Sequence, residues 1–253
     1  MDPLTRLSHA TSFERAALVY ARSRPSYPAE AVNWLVGGAE AVLDLGAGAG
    51  ALTAVLIDLP LRVTAAEPSP SMLAQLTRAA PGAVGVQALA ERLPFAAASF
   101  DLVTVAQAFH WFDHETALPD ISRVLRLGGT LGVIYNTRDE SDAFVQALSR
   151  LLTSIQPPTL TGDWGAGSVQ AIEGSAHFGQ VQSREFTWRT PMDRDRVVGL
   201  VASRSYVINL GETARRDVLS RTSELVDRHT SRAGRLEMPY VTQCWRATAL
   251  SAT

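Results

Sequence analysis

Three glycines alternate at Gly46, Gly48 and Gly50, directly after an apolar run at residues 41–45. Glycine lets the backbone adopt positive φ angles and lets a ligand approach without a Cβ in the way. A strand that enters such a turn and leaves it as a helix is typical of sites that bind nucleotide-like ligands. The sequence therefore predicts a binding loop that includes Ala47 as well as the three glycines.

Two carboxylates accompany this loop in the sequence. Glu67 follows the next apolar run, about 20 residues after the first glycine, where an acid can accept two hydrogen bonds from ribose hydroxyls. Asp44 lies one residue before the end of the first run, so its carboxylate is expected close to the loop. A negative charge there favours an ammonium group of the ligand and repels a pyrophosphate.

The glycine pattern also satisfies the relaxed fingerprint of dinucleotide-binding dehydrogenases, since Gly46, Gly48 and Ala51 have that spacing. Two features disfavour that class. The chain lacks room for the separate substrate domain that many dehydrogenases carry. All 23 of its Lys+Arg residues are arginines, so it has no Tyr-x-x-x-Lys pair. An NAD(P)-dependent oxidoreductase of Rossmann type stays open as an alternative at this point.

These residues need a parallel sheet to position them. Short apolar runs alternate with helical stretches through residue 136, which is typical of α/β folds. The pair Gly128-Gly129 is expected to end the helix before the fifth strand. We predict strands at residues 41–45, 61–66, 83–87, 100–106 and 130–135, and helices at residues 50–58, 69–79 and 113–125.

Beyond residue 136 the pattern is weaker. A glycine-rich stretch at residues 162–174 is expected to be a loop. Since the chain has 253 residues, a single domain is expected. The remaining predictions are helices at residues 142–155, 193–204 and 212–229, and strands at residues 178–188 and 236–246.

The composition is that of a globular chain without a bias toward nucleic acid. Hydrophobic residues make up 46%, charged residues 19%, and the formal net charge is -2. A dedicated nucleic-acid binder is expected to be basic, so a small-molecule ligand is favoured. The lone Cys244 cannot form an intramolecular disulfide, which fits a cytoplasmic protein. No apolar run reaches the roughly 18 residues of a membrane span, and the histidines have no metal-site spacing, so neither membrane insertion nor a metal is expected.

Several segments resemble the motifs of class I S-adenosylmethionine-dependent methyltransferases. The likeness is greatest to the methyltransferase type 11 group, which contains the ubiquinone/menaquinone-biosynthesis and trans-aconitate methyltransferases. Residues 20–28 and 107–113 are shared with a subset of that group, and the resemblance covers residues 20–136 well. The matching motifs are residues 42–53, 66–73, 90–95, 99–103 and 125–131.

The resemblance implies an α/β, Rossmann-like fold. Its doubly wound, mostly parallel sheet would have about seven strands, with helices on both faces and a small helical cap. The single domain would comprise an amino-terminal cap segment (1–36), a cofactor-binding core (37–136), and carboxy-terminal strands with a substrate cap (137–253). The cofactor would be S-adenosyl-L-methionine, and the partner a small-molecule methyl acceptor.

The resemblance also assigns residues to the cofactor. Asp44 and the backbone at Gly46 would hold the methionine amino group, and Glu67 would bind the ribose hydroxyls. The chain departs from the group at Leu89, where members often place an acidic or polar residue for the adenine amino group. The other expected contacts are Pro68 and Met72 beside the adenine, Ala90 and Glu91 at its edge, Gln107 and His110 near the methionine end, and Tyr20 and Arg24 at the methionine carboxylate.

Gln107, His110 and Trp111 follow the fourth predicted strand, where open α/β sheets place ligands. We expect the acceptor pocket there. His110, with an ordinary pKa near 6.5, would take a proton from the acceptor or orient it. The reaction would be direct in-line displacement at the activated methyl group. Core packing is the alternative role for Trp111 and for Met72.

Two further alternatives stay open. The chain could bind the cofactor without turnover, because the glycine loop and Glu67 indicate ligand binding and not catalysis. A nucleic-acid methyltransferase is disfavoured by net charge, although arginine pairs such as Arg215-Arg216 occur.

Overall fold

The computed structural model describes residues 24–155, 164–230 and 236–250. It divides into two compact units, each built from separated parts of the chain. The sheet unit comprises Ser26–Asn136, Asp163–Phe186 and Thr242–Thr253. The second unit comprises Met1–Pro25, Thr137–Gly162 and Thr187–Val241.

The described elements alternate between strands and helices over the first half of the chain. The strands are β1 (Ala41–Leu45), β2 (Arg62–Ala66), β3 (Val84–Val86), β4 (Phe100–Ala106), β5 (Leu125–Arg138), β6 (Gln182–Met192) and β7 (Leu236–Thr248). The α-helices are α1 (Ala29–Val36), α2 (Thr53–Leu56), α3 (Pro70–Ala79), α4 (His114–Val124), α5 (Ala143–Thr153), α6 (Trp164–Glu173), α7 (Arg194–Ala202), α8 (Ser205–Ile208) and α9 (Glu212–His229). A turn of 3-10 helix covers Phe109–Trp111.

The strands form one seven-stranded sheet in the order β3-β2-β1-β4-β5-β7-β6. The pairs β1–β2, β1–β4, β2–β3 and β4–β5 are parallel. The strand order reverses at β1, whose neighbours are β2 on one side and β4 on the other. In open α/β sheets, ligands bind outside the carboxyl ends of the strands at such a reversal. The loops that follow β1 and β4 are therefore the candidate site.

The sheet unit buries apolar side chains on both faces of its strands. Successive residues of β1 point to opposite faces: Leu43 packs in a cluster with Ile121 of α4, and Val42 in a cluster with Val32 of α1. Helices therefore cover both faces of the sheet. Every residue of β1 is buried, which explains why the sequence of this strand is a continuous apolar run apart from Asp44.

The second unit has an apolar core of its own. Side chains of α5, α7 and α9 form one cluster, in which Leu148, Val201 and Val226 are buried. The α5 helix begins after Asp142, whose carboxylate accepts hydrogen bonds from the backbone N–H groups of Phe144 and Val145. This is the capping interaction that aspartate favours at helix starts.

Two predicted elements differ in the structure. The glycine-rich residues 162–174 were expected to be a loop, but Trp164–Glu173 is helix α6. Burial of Ile172 and Ser168 supplies tertiary contacts that outweigh the low helix propensity of glycine. The pair Gly128-Gly129 does not end a helix. Helix α4 ends at Val124 and β5 begins at the next residue, because that residue pairs with Phe100 of β4.

Strand β5 also starts earlier than predicted. Phe100 pairs with Leu125 and Leu102 with Thr130, so the residues between Leu125 and Thr130 bulge out of the sheet. Gly128 in this bulge has φ 76°, a left-handed conformation that favours glycine. Strand β6 begins at Gln182, later than the predicted start at residue 178. Among the described residues, no helix is both long and apolar enough to cross a membrane.

Candidate functional site

The glycine loop lies where β1 ends. Gly46, Gly48 and Gly50 have φ of 66°, 58° and 88°, all in the left-handed region. The backbone N–H groups of Gly46 and Ala47 both donate to the carbonyl of Ala66, at 2.9 and 3.1 Å. These bonds hold the loop against the end of β2, so the tight turn predicted from the sequence is present.

The three glycines have different surroundings. A Cβ on Gly46 would lie 2.8 Å from the Cβ of Ala108, and one on Gly50 would lie 3.2 Å from the Cα of Leu76. A Cβ on Gly48 would meet nothing within 4 Å. Packing therefore explains the absence of side chains at Gly46 and Gly50. Gly48 faces open space, where a ligand can approach the backbone.

Glu67 lies just past β2 and connects the loop to the next helix. Its Oε2 accepts a hydrogen bond from the Gly48 N–H and its Oε1 one from the Ser69 N–H, both at 2.9 Å. Burial raises the pKa of Glu67, and these two donors oppose the shift. A carboxylate has about four lone-pair positions, so two remain for the hydroxyls of a ligand.

Asp44 lies on β1 and is fully buried. Its Oδ2 accepts from the Thr53 hydroxyl at 2.6 Å, and its Oδ1 from the Thr104 hydroxyl at 3.2 Å. Burial raises the pKa of Asp44 to about 6, the two hydroxyl donors oppose the shift, and the charge of Glu67 adds to it. The carboxylate is thus ionised at neutral pH and places a negative charge next to the glycine loop.

The chain turns sharply after β4. Gln107 has φ 55°, an unfavourable value for a residue with a side chain, and its Nε2 donates to the Asn136 carbonyl at 2.9 Å. Its backbone N–H donates to Ile134 at 3.0 Å. The turn is therefore fixed to β5 by both the backbone and the side chain of Gln107.

His110 is bound to the last part of β5. Its backbone N–H donates to the Tyr135 hydroxyl at 3.2 Å, and its Nδ1 lies 3.0 Å from the same hydroxyl. The ring of His110 also packs against Trp111, with 4.7 Å between centroids. Burial raises the pKa of Tyr135 to about 12, so its hydroxyl is protonated at neutral pH.

The expected pKa of His110, near 6.5, is corrected by the structure. Burial lowers the pKa of His110 to about 4, with a smaller contribution from the charge of His114. The imidazole is consequently neutral at neutral pH. With so low a pKa it is a weak proton acceptor, because general bases work best when their pKa lies near the working pH.

The other predicted cofactor contacts have local structural partners. Met72 and Ala90 are buried, and Ala90 belongs to the apolar cluster that also contains Leu43. Pro68 is exposed, and its carbonyl accepts from the Gln87 Nε2 at 3.1 Å. The carboxylate of Glu91 accepts from the backbone N–H of Asp113, at the start of α4, at 2.9 Å. The cofactor roles assigned to these residues stay predictions, and Leu89, where the family pattern is broken, is exposed.

Two predicted residues are not part of the sheet unit. Tyr20 lies outside the described residues. Arg24 belongs to the second unit, where its carbonyl accepts from the Arg196 Nη2 at 3.5 Å. Its assignment to the methionine carboxylate stays a prediction. In the described part of the chain, no three His, Cys, Asp or Glu side chains are grouped so that they could hold a metal ion.

Three residues of the site, Thr53, Thr104 and Tyr135, are not predicted from the sequence. Thr104 is buried in the otherwise apolar interior of β4, and the parallel pairing of β1 with β4 sets it opposite Asp44. A polar residue inside a buried strand, next to a strand that carries a buried acid, was the available signal. Tyr135 gave no such signal, because tyrosine is common at strand ends for packing alone.

Comparisons with known proteins support one family. A family model described as a methyltransferase domain matches residues 43–133. The chain is 39% identical, over 247 residues, to the uncharacterized methyltransferase Rv3342 of Mycobacterium tuberculosis, covering 96% of this chain and 98% of that protein. It is 35% identical over 152 residues to a malonyl-[acyl-carrier protein] O-methyltransferase of Enterobacter lignolyticus, covering 58% of this chain and 61% of that one.

Solved structures agree with the sequence relatives. A protein assigned as a type II methyltransferase from Anaeromyxobacter dehalogenans is 27% identical, with a TM-score of 0.65, over 90% of this chain and 97% of that chain. A phosphoethanolamine methyltransferase of Haemonchus contortus, solved with S-adenosylhomocysteine, shares the fold at 14% identity, with a TM-score of 0.55 over 96% of this chain and 60% of that chain. These matches support a methyltransferase rather than the oxidoreductase alternative. The chain belongs to the class I S-adenosylmethionine-dependent methyltransferases, in the type 11 group.

Proposed function

We propose that the sheet unit binds S-adenosylmethionine across the glycine loop, with Glu67 on the ribose hydroxyls and Asp44 near the methionine amino group. The observation that carries this proposal is the pairing of Glu67 with the loop, at 2.9 Å from the Gly48 nitrogen. The Glu67 carboxylate would thus hold the loop in place and bind the ribose at the same time, because it has lone pairs for both.

The residues fit this ligand in three respects. Gly48 leaves open space over the loop. Glu67 has acceptor capacity beyond its two backbone partners. Asp44 supplies a negative charge for an ammonium group, held in place by two threonine hydroxyls. The ligand would supply a methyl group on a sulfonium sulfur, which is already activated toward a nucleophile.

The reaction is a direct displacement at the methyl carbon, with a small-molecule acceptor as the nucleophile. The acceptor's lone pair forms the new bond to the methyl carbon, and the carbon–sulfur bond breaks with its electron pair going to sulfur. A proton carried by the attacking atom is lost to bulk solvent after the transfer. The protein's part is to align the groups and exclude water. No strong general base is demanded, which agrees with the low pKa of His110.

In this scheme His110 orients the acceptor and does not deprotonate it. The Tyr135 hydroxyl accepts the His110 backbone N–H, lies 3.0 Å from the His110 Nδ1 and also hydrogen-bonds the Ser168 side chain, so it holds the imidazole in place. Trp111, packed on the His110 ring, restricts its orientation.

The test is a calorimetric titration of Glu67→Ala with S-adenosylhomocysteine. Charge-assisted hydrogen bonds contribute roughly 1.5–3 kcal/mol, so the dissociation constant should rise at least about tenfold. Asp101→Ala is the matched control. Asp101 also accepts from two backbone N–H groups, those of Glu40 and Ala41, but at the opposite end of β1. An affinity that falls equally in both variants, or in neither, would remove Glu67 from the proposed site.

A further inference from the structure

The second unit gathers four arginines around one tyrosine. The positive charges of Arg138, Arg24, Arg204 and Arg196 all act on the phenol of Tyr240. They come from separate segments of the chain. Arg138 ends β5, Arg204 directly precedes α8, Arg196 lies in the first turn of α7, and Arg24 is the first described residue. Such convergence of like charges opposes folding unless something compensates for it.

Hydrogen bonds within the described residues leave this cluster incomplete. Nη1 of Arg138, Nε of Arg196, Nε of Arg204 and the hydroxyl of Tyr240 are buried without a partner there. Buried polar groups are ordinarily paired, and a lost partner costs more for a charged group than for a neutral one. Four donors, three of them charged, are thus available for an acceptor.

No carboxylate of the described residues neutralises these charges directly. None of the ion pairs found there includes Arg138, Arg196 or Arg204. Arg138 Nη2 donates to the Ser149 hydroxyl at 3.2 Å, and that hydroxyl donates to Glu140 at 2.6 Å. Glu140 therefore forms no direct ion pair with Arg138, and its charge acts on that guanidinium from a distance.

The guanidinium groups keep their charge despite these surroundings. Burial and, to a smaller extent, the positive charge of Arg138 lower the pKa of Arg204 to about 10. Burial likewise lowers the pKa of Arg138. Both groups are protonated at neutral pH, so the cluster is a concentrated positive site.

Aromatic rings hold part of the cluster in place. The Arg204 guanidinium lies over the Tyr206 ring, 5.8 Å from its centroid. The Tyr240 ring stacks on Trp188, with 5.4 Å between centroids and an angle of 26°. Rigid, planar guanidinium groups suit carboxylate and phosphate oxygens, which accept two parallel N–H donors.

We propose that this arginine cluster binds a small oxyanion, a molecule that carries a phosphate or more than one carboxylate. Arg138, Arg196 and Arg204 supply the charged donors, and the Tyr240 hydroxyl supplies a neutral one. This inference concerns the second unit alone and goes beyond the proposed function. Binding of the anion itself does not depend on methyl transfer.

The experiment titrates the full chain with citrate, malonate, inorganic phosphate and pyrophosphate in separate arms, at constant ionic strength. We expect saturable binding of the carboxylates or of the phosphates. The class that binds shows whether the site recognises carboxylate or phosphate groups. Arg204→Met and Arg138→Met should each weaken binding at least about tenfold, the loss expected for one charge-assisted pair. Arg216→Met is the matched control, because Arg216 is an exposed arginine of the same unit beside Glu212. It should bind like the wild type.

Thermal unfolding shows whether the variants are folded. Replacing an uncompensated buried charge with an apolar side chain of similar size is expected to raise the unfolding temperature of Arg204→Met without the anion. The anion should raise that temperature for the wild type and not for the variant. Absence of binding to the wild type, or undiminished binding to both variants, would overturn the proposal.

A titration with S-adenosylhomocysteine separates this proposal from the proposed function. If that ligand fails to bind while an anion binds at the arginines, the cofactor site is wrong and the anion site stands. If saturating S-adenosylhomocysteine abolishes anion binding, the cluster serves the cofactor's own carboxylate, and the proposal of a separate oxyanion is overturned.

Discussion

At the scale of single residues, the buried carboxylate of Asp44 destabilises the fold when it is ionised and places a negative charge next to the glycine loop. A fully buried carboxylate is unfavourable when ionised, and its pKa of about 6 expresses that penalty. The Thr53 and Thr104 hydroxyls reduce the penalty without neutralising the charge. A negative charge kept at this expense next to the glycine loop is typical of functional sites.

Replacement of Asp44 by asparagine should separate stability from binding. Asp44→Asn removes the charge, so the unfolding temperature at neutral pH should stay the same or rise. Affinity for S-adenosylhomocysteine should fall at least about tenfold, since a charge-assisted contact is lost. Calorimetry and thermal unfolding of the same preparation measure both quantities. A variant that binds normally would show that the ammonium group lies elsewhere.

The same residue gives binding a pH dependence. Because the folded-state pKa of Asp44 is raised to about 6, the protonated form gains population as the pH falls through that value. Wild-type affinity should therefore decrease from pH 7 to pH 5, and Asp44→Asn should lack this part of the decrease. For stability the sign is opposite: protonation favours the folded state, so the benefit of a neutral Asp44 is lost as the pH rises from about 4 to about 6. If the affinity of the wild type and that of Asp44→Asn decrease equally between pH 7 and pH 5, the pH dependence belongs to another group, such as Glu67, whose pKa is also raised.

At the scale of the element, the glycine loop offers a matched pair of positions. Gly46 and Gly48 have similar positive φ, 66° and 58°, so an added Cβ costs each about 1–2 kcal/mol of backbone strain. Only at Gly46 would the Cβ also collide with the protein, 2.8 Å from the Cβ of Ala108. The two positions therefore distinguish packing from ligand contact.

Alanine at the two positions should have different effects. Gly46→Ala should lower the unfolding temperature more than Gly48→Ala, because only the first adds a clash to the backbone strain. Gly48→Ala should instead weaken S-adenosylhomocysteine binding, since its methyl group enters the open space over the loop. Thermal unfolding and calorimetry on both variants provide the comparison. Normal affinity in Gly48→Ala would mean that the ligand does not cross the loop there.

The elements also show which sequence patterns determine structure. Strands β1 and β4 have the predicted bounds, because burial on both faces requires the continuous apolar runs that the sequence displays. Helix α6 was not predicted, since its glycines have low helix propensity and its support comes from packing of Ile172 in the sheet unit's core. The early start of β5 depends on pairing with Phe100, a contact that no local pattern records.

At the scale of the whole molecule, the predicted cofactor residues and the arginine cluster differ in how far the sequence could reveal them. Asp44, Gly48 and Glu67 lie near one another in the chain, within two consecutive strand-to-helix turns, and their spacing identifies a ligand loop. The arginines of the second unit are spread from Arg24 to Arg204, so only the tertiary structure brings them together around one tyrosine. The seven-stranded, mostly parallel sheet agrees with the fold expected from the family resemblance.

The most direct test of the account is a crystal structure of the chain with S-adenosylhomocysteine bound. We predict that both ribose hydroxyls lie at hydrogen-bond distance, about 2.5–3.0 Å, from the Glu67 carboxylate oxygens. The amino group of the ligand should lie against the loop next to Asp44, and the ligand should pass over Gly48. A ligand whose ribose makes no contact with Glu67, or which binds away from the loop after β1, would contradict the account.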